Sequence, residues 1–181
     1  SYGSPSILMR SGIGPPNHLG EMEIPIKLGL EGVGSNLHDH PSFYINYKPD
    51  ESAWDKIVQD LGTSNSYRGQ VILKAKSDYC DGPFDLHILP SQVHRTLGTD
   101  TLQSFICNMA PRSRGRVSLI SKNPAVPPRV ETNYLSDCEG IDASVLSYGL
   151  SLMRKIASRQ PLATALAQEV GPWATLHSYE Q

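Results

Sequence analysis

Two histidines and an aspartate stand together in the run His38-Asp39-His40 and could bind a ligand or move protons. On an extended segment His38 and His40 point the same way, so they could hold a metal with Asp39 in its outer shell. No third ligand stands at a fixed spacing, however, and these residues do not predict a metal site. Asp39 and the nearby Asn36 could equally satisfy backbone groups of their own loop.

A short helix near the start of the chain offers a second candidate site. Ser4 is a helix-capping residue type, Pro5 suits the first helical position, and Gly12 suits the stop, which together predict a helix over residues 5–11. Backbone amides at the start of such a helix could bind an anion.

The composition excludes several classes of partner. The net charge is −2 and the basic residues are scattered, so no nucleic-acid ligand is expected. No apolar run approaches the length of a membrane span. Three cysteines without C-x-x-C spacing argue against a disulfide framework or a zinc site and slightly favour a reducing, cytoplasmic compartment. Nothing indicates an oligomeric state.

Alternation of polar and apolar residues predicts a strand over residues 42–48. Its even-numbered side chains, Ser42, Tyr44 and Asn46, form a polar face, and its odd-numbered side chains pack. Further predicted strands are 69–76, 84–90, 102–110 and 116–121, and predicted helices are 52–61, 141–158 and 161–168. The pattern predicts an α+β fold, a mainly antiparallel sheet of five to six strands backed by helices.

Several motifs in fixed order carry a family resemblance. They are GSPSILMRSGIGP from residue 3, VGSNLHDHP from residue 33, PRSRGRVSL from residue 111, the prolines 124 and 128 with Asn123, and NYLS from residue 133. Together they resemble the second signature and the substrate domain of glucose-methanol-choline (GMC) flavin oxidoreductases, of the choline dehydrogenase or alcohol oxidase kind. The resemblance spans Ser1 to about Leu162.

This resemblance implies a division of the chain. Residues 1–41 would be a partial segment of an FAD-binding domain, residues 42–170 the substrate-binding domain, and residues 171–181 an irregular tail. Because the sequence opens in mid-motif without an initiating methionine, we expect a fragment of a larger protein whose partners include the missing FAD-domain segments.

The resemblance also implies a function, the oxidation of a small-molecule alcohol by hydride transfer from its CH–OH group to FAD. The positions that match the family's cofactor-binding pattern are Ser4, Pro5, Asn36, Asp39 and His40. The positions expected to contact substrate are Ser42 and Tyr44, at the start of the first sheet strand.

Two parts of the family pattern are not found in this sequence. The catalytic histidine of the family lies beyond the substrate domain, and no G-x-G-x-x-G turn for the ADP portion of FAD occurs. We therefore expect no catalytic residue in this chain, no retention of FAD by the chain alone, and no turnover. Two alternatives are a hydroxynitrile lyase of the same fold and a non-enzymatic binding module.

Overall fold

A computed structural model describes residues 2–61, 71–96, 99–172 and 174. The chain divides into two compact units. The first unit joins Ser1–Asp39 with Pro111–Gly140, and the second joins His40–Ala110 with Ile141–Gln181. The elements in chain order are α1 (Gly3–Arg10), β1 (Ile13–Gly14), α2 (Pro16–Glu21), β2 (Leu28–Gly29), β3 (Ser42–Lys48), α3 (Glu51–Leu61), β4 (Leu73–Ala75), β5 (Leu86–Thr96), β6 (Thr99–Asn108), β7 (Arg116–Ser118), β8 (Arg129–Glu131), α4 (Ile141–Ala157), α5 (Leu162–Ala165) and β9 (Gln168–Val170).

The first unit contains two small sheets and a small apolar core. β1 and β2 run parallel, whereas β7 and β8 form an antiparallel pair. The buried core consists of Met9, Leu19, Ile24 and Leu119.

The first helix begins earlier than predicted, and Ser4 does not cap it. α1 starts at Gly3, its N-cap residue is Tyr2, and the Tyr2 side chain makes no capping hydrogen bond. Ser6 Oγ instead donates to the Tyr2 carbonyl oxygen at 2.9 Å. Near the predicted end, Gly12 has a φ of 84°, a conformation that favours glycine.

The second unit is built on a five-stranded sheet with the order β4-β5-β6-β3-β9. Every neighbouring pair of strands in this sheet is antiparallel. One face packs against α4, where Ile45, Leu86, Ile106 and Met153 are fully buried. The predicted α+β fold class is confirmed.

β3 has the predicted bounds and the predicted alternation. Ile45 and Tyr47 are buried, and Ser42 and Tyr44 are exposed on the other face. α4 lies close to the sheet at Gly149, since an added Cβ there would be 2.7 Å from Ile106 Cγ2. The polar face of β3 therefore points away from the apolar core of the unit.

One predicted strand, 116–121, lies outside this sheet. Its residues form β7, which pairs with β8 in the first unit, and β9 completes the large sheet instead. Residues 111–140 fold in the first unit as well. The physical reason is backbone pairing, because Leu37 and Gly115 exchange two hydrogen bonds of 2.8 Å. The compact units thus differ in their bounds from the predicted functional domains, and the assignment of residues 42–170 as the substrate-binding domain stays a prediction.

Some predicted features fall on residues outside the described ranges. They include residues 69–70 of the predicted strand 69–76 and most of the tail 171–181. Of the described residues 71–76, Leu73–Ala75 form β4. Within the described ranges, no helix combines the length and the apolar character that crossing a bilayer requires.

Tyr47 provides a test of the second unit's core. Tyr47 is 4% exposed, and its hydroxyl has no hydrogen-bond partner among the described residues. Burial raises the pKa of Tyr47 to about 12, and the negative charge of Glu169 adds to this effect. We expect Tyr47→Phe to stabilise the unit by about 1 kcal/mol at neutral pH, because it removes an unsatisfied buried group.

The same substitution changes the alkaline behaviour of the protein. An unfolded tyrosine ionises from about pH 10, so the wild type loses stability as the pH rises from there towards the folded pKa of about 12. Tyr47→Phe should lose less stability over that range. Urea unfolding at neutral and alkaline pH measures both effects, with the exposed Tyr79→Phe as control. A Tyr47→Phe protein less stable than the wild type at neutral pH would contradict this prediction.

Candidate functional site

The loop formed by residues 33–39 carries two of the predicted site residues and is held by the first unit. Val117 N–H donates to the Gly34 carbonyl oxygen at 2.7 Å, and Leu37 pairs with Gly115. Gly34 has a φ of 80°, and an added Cβ would lie 2.1 Å from the Val117 carbonyl oxygen. The loop is therefore fixed by backbone contacts that require glycine.

Asn36 and Asp39 are exposed and bond to neighbouring side chains. Asn36 has a φ of 62°, in the left-handed region that asparagine tolerates, and its Oδ1 lies 3.1 Å from His38 Nε2. The Tyr134 hydroxyl donates to Asp39 Oδ2 at 2.5 Å. Both side chains are thus oriented within the first unit, and their contact with a cofactor stays a prediction.

Ser4 and Pro5 lie in the first turn of α1. Ser4 is exposed and Pro5 is half-buried. The turn contains no acidic residue and its N-cap, Tyr2, makes no side-chain bond. An electron-rich group could approach this helix end without charge repulsion.

A cleft of about 740 Å³ also opens in the first unit, lined among others by Met9, His18 and Arg116. His18 Nε2 accepts the Leu119 N–H at 3.0 Å, and its Nδ1 lies 3.8 Å from Glu21 Oε2. None of the predicted cofactor-binding residues lines this cleft. We assign it no function, because its lining mixes both signs of charge with apolar groups.

In the second unit, the predicted substrate residues lie together on the polar face of the sheet. Ser42 and Tyr44 follow His40 at the start of β3 and pair with Cys107 and Phe105 of β6. The rings of Tyr44 and Phe105 are 5.0 Å apart between centroids and tilted by 48°. Tyr44 is 45% exposed, so an aromatic surface is available to a ligand on this face.

The same face extends across the sheet to a histidine. The strand register places His87 of β5 opposite Cys107, and Lys74 of β4 opposite His87. Since directly opposed residues share a face, the row across four strands reads Lys74, His87, Cys107 and Ser42. We call these residues, with Tyr44 and Phe105 of the next row, the polar wall.

His87 is the most unusual member of the polar wall. Its Nε2 is buried and has no hydrogen-bond partner among the described residues. Its ring stacks on Phe84, with centroids 5.1 Å apart and an interplanar angle of 19°. Burial, followed by the charges of Lys74 and His40, lowers its pKa. The lowered pKa favours the neutral form of the imidazole.

Sequence reasoning did not single out His87, because a lone histidine in a strand has no partner at a characteristic spacing. The available signal was alternation, since His87 lies between Leu86 and Ile88, which are both fully buried against α4. Asn46, predicted to lie on the polar face of β3, is half-buried and accepts a 2.9 Å hydrogen bond from Gln103.

Comparisons with known proteins agree with one another. Residues 111–181 match the family model described as GMC oxidoreductase. The chain is 29% identical to the oxygen-dependent choline dehydrogenase of Paraburkholderia phymatum over 98% of the chain and 34% of that protein.

Solved structures show the same fold at lower identity. Pyridoxine 4-oxidase from Mesorbium loti is 21% identical, with a TM-score of 0.71 over 94% of this chain and 33% of its own. A formate oxidase from Aspergillus oryzae, studied for FAD modification, is 17% identical with a TM-score of 0.73 over 92% of this chain and 37% of its own.

Each of these relatives matches the chain over nearly its full length. The chain spans about a third of the length of the curated relatives that it matches. Almost all of the chain aligns, the family model covers its C-terminal part, and the described structure has the fold of the solved relatives. The chain is therefore similar to GMC oxidoreductases over nearly all of its length, and residues 111–181 match the model of that family.

Proposed function

We propose that this chain is part of an FAD-dependent oxidoreductase that removes hydride from the CH–OH group of a small alcohol. The observation that carries the proposal is the polar wall, because Ser42 and Tyr44 stand on the face of the sheet opposite α4. A relative is named for the oxidation of choline, itself a small alcohol. When bound, FAD would supply the hydride acceptor.

The first unit would contribute to flavin binding, and it contains residues 111–140 in addition to residues 1–39 of the predicted segment 1–41. Ser4 and Pro5 fit an electron-rich cofactor, since no acidic side chain competes at the start of α1. Asn36 and Asp39 fit as fixed polar groups, because His38 and Tyr134 orient them. His40, the first residue of the second unit, stays a predicted cofactor-binding residue.

The second unit would bind and orient the alcohol. Ser42 has a hydroxyl that both donates and accepts hydrogen bonds, and Tyr44 with Phe105 offers apolar ring surface. The proton acceptor of the reaction is not assigned to a residue of this chain. The role proposed for these residues is therefore binding and positioning.

The test uses the product of the complete reading frame, purified with its flavin. Anaerobic addition of primary and secondary alcohols should bleach the flavin. Tyr44→Ala should raise the alcohol concentration for half-maximal reduction by about tenfold, because it removes an exposed ring from the wall. Lys48→Gln, at the exposed end of the same strand, is the matched control.

Three outcomes would contradict the proposal. The protein could purify without flavin, its flavin could resist reduction by every alcohol tried, or it could cleave cyanohydrins without reducing any acceptor. The last result would indicate the lyase alternative.

A further inference from the structure

The polar wall contains a buried ring nitrogen, Nε2 of His87, and His87 is not among the substrate-binding residues predicted from the sequence. Buried polar groups in folded proteins are almost always paired. His87 Nε2 is buried and unpaired among the described residues, and the stacked ring of Phe84 limits its orientation. Such an atom is ready to pair with a ligand that enters from the polar side of the sheet.

Geometry links His87 to the aromatic pair. Phe105 stands opposite Leu89, two residues beyond His87 on β5. Residues in this diagonal relation lie about 7–8 Å apart. A small planar molecule placed on the Phe105 and Tyr44 rings would therefore reach His87 with a polar substituent.

The charges of the wall indicate the class of that molecule. Among the strand residues whose side chains the structure describes, those on this face carry no carboxylate, and the cations on it are Lys74 and Lys48 at its margins. Glu169 pairs opposite Tyr47 and therefore faces the other side, where it binds Arg154. A cationic ligand would find no counter-ion on this face and would be repelled by Lys74.

We propose that His87 is a substrate-binding residue, and that its Nε2 hydrogen bonds an uncharged polar group of an aromatic or other planar alcohol seated on Tyr44 and Phe105. This inference rests on the proposed function and gives it a substrate class, neutral alcohols in preference to quaternary ammonium alcohols such as choline.

Binding is tested separately from turnover, on the flavin-loaded product of the complete reading frame. The probe is dimethyl(phenyl)methanol, a tertiary benzylic alcohol with no hydrogen to transfer, titrated by calorimetry. His87→Phe keeps a ring to stack on Phe84 but removes the hydrogen bond, and should weaken binding by about tenfold. His87→Gln keeps a polar group and should stay within about threefold of the wild type. Lys56→Gln, an exposed change on α3, is the control.

Substrate class is tested by anaerobic flavin reduction with benzyl alcohol and with choline. Benzyl alcohol should give the higher ratio of reduction rate to half-saturating concentration. Equal binding of the probe by wild type and His87→Phe, equal loss in His87→Gln and His87→Phe, or a preference for choline would each overturn the inference. Flavin that no alcohol reduces would refute the proposed function, while calorimetry would still decide the role of His87.

Discussion

Gly115→Ala should destabilise the first unit by about 3 kcal/mol or more. A Cβ at position 115 would lie 2.1 Å from the Glu131 carbonyl oxygen and 2.8 Å from that of Thr132. Both obstacles are backbone atoms, so no side-chain rotation relieves the clash. Any shift of this strand also weakens the two 2.8 Å hydrogen bonds with Leu37. The loop 33–39 would then lose its support.

Hydrogen exchange measured by mass spectrometry reports this loss directly. In Gly115→Ala, the peptides that contain the amides of Leu37 and Val117 should exchange much faster, because both amides donate to the affected pairing. Gly32→Ala is the control, since an added Cβ there meets nothing within 4 Å. Unchanged exchange at Leu37 in Gly115→Ala would refute the prediction.

Short-range patterns predicted the parts of the fold that depend on neighbouring residues. The strand 42–48 and its two faces follow from alternation, because side chains on a strand point to opposite faces in turn. The long helix was predicted over 141–158 and occurs at Ile141–Ala157. Local propensity misplaced the start of α1, where Tyr2 and not Ser4 is the N-cap residue.

Pairings between distant segments could not be predicted from the same patterns. A strand signal at Arg116–Ser118 does not say which partner it will join, and its partner is β8 in the first unit. β9 is too short to show a period, yet it completes the large sheet. Which strands pair is determined by their registers. A register depends on the apolar pattern of the whole buried face of a sheet and not on one short segment.

The residues of the candidate site also fall into two groups, those predictable from local patterns and those brought together by pairing of distant segments. Ser42 and Tyr44 share a face for a local reason, so their neighbourhood was predictable. The alignment of Ser42 with Cys107 and His87 requires two strand registers, and the bond between Tyr134 and Asp39 joins segments far apart in sequence. Strand pairing and contacts between distant segments therefore add residues to the candidate site that the sequence motifs alone do not identify.

Asn108→Ala should cost the second unit about 3 kcal/mol. Asn108 is fully buried at the end of β6, where its Nδ2 donates to Asp142 Oδ1 at 3.2 Å and its Oδ1 accepts the Ala110 N–H at 3.0 Å. Asp142 is fully buried too and lies in the first turn of α4. Truncation removes a donor from a buried carboxylate and leaves a backbone amide without its acceptor.

Urea unfolding separates this polar effect from the loss of volume. Asn108→Leu fills the space with an apolar side chain but makes none of the hydrogen bonds, so it should remain destabilised by a similar amount. Gln59→Ala, an exposed change on α3, is the control. A stable Asn108→Leu protein would show that packing alone matters at this position. The expected result instead makes the bond between Asn108 and Asp142 the link that ties the start of α4 to the strand carrying Cys107 and Phe105, and so to the polar wall.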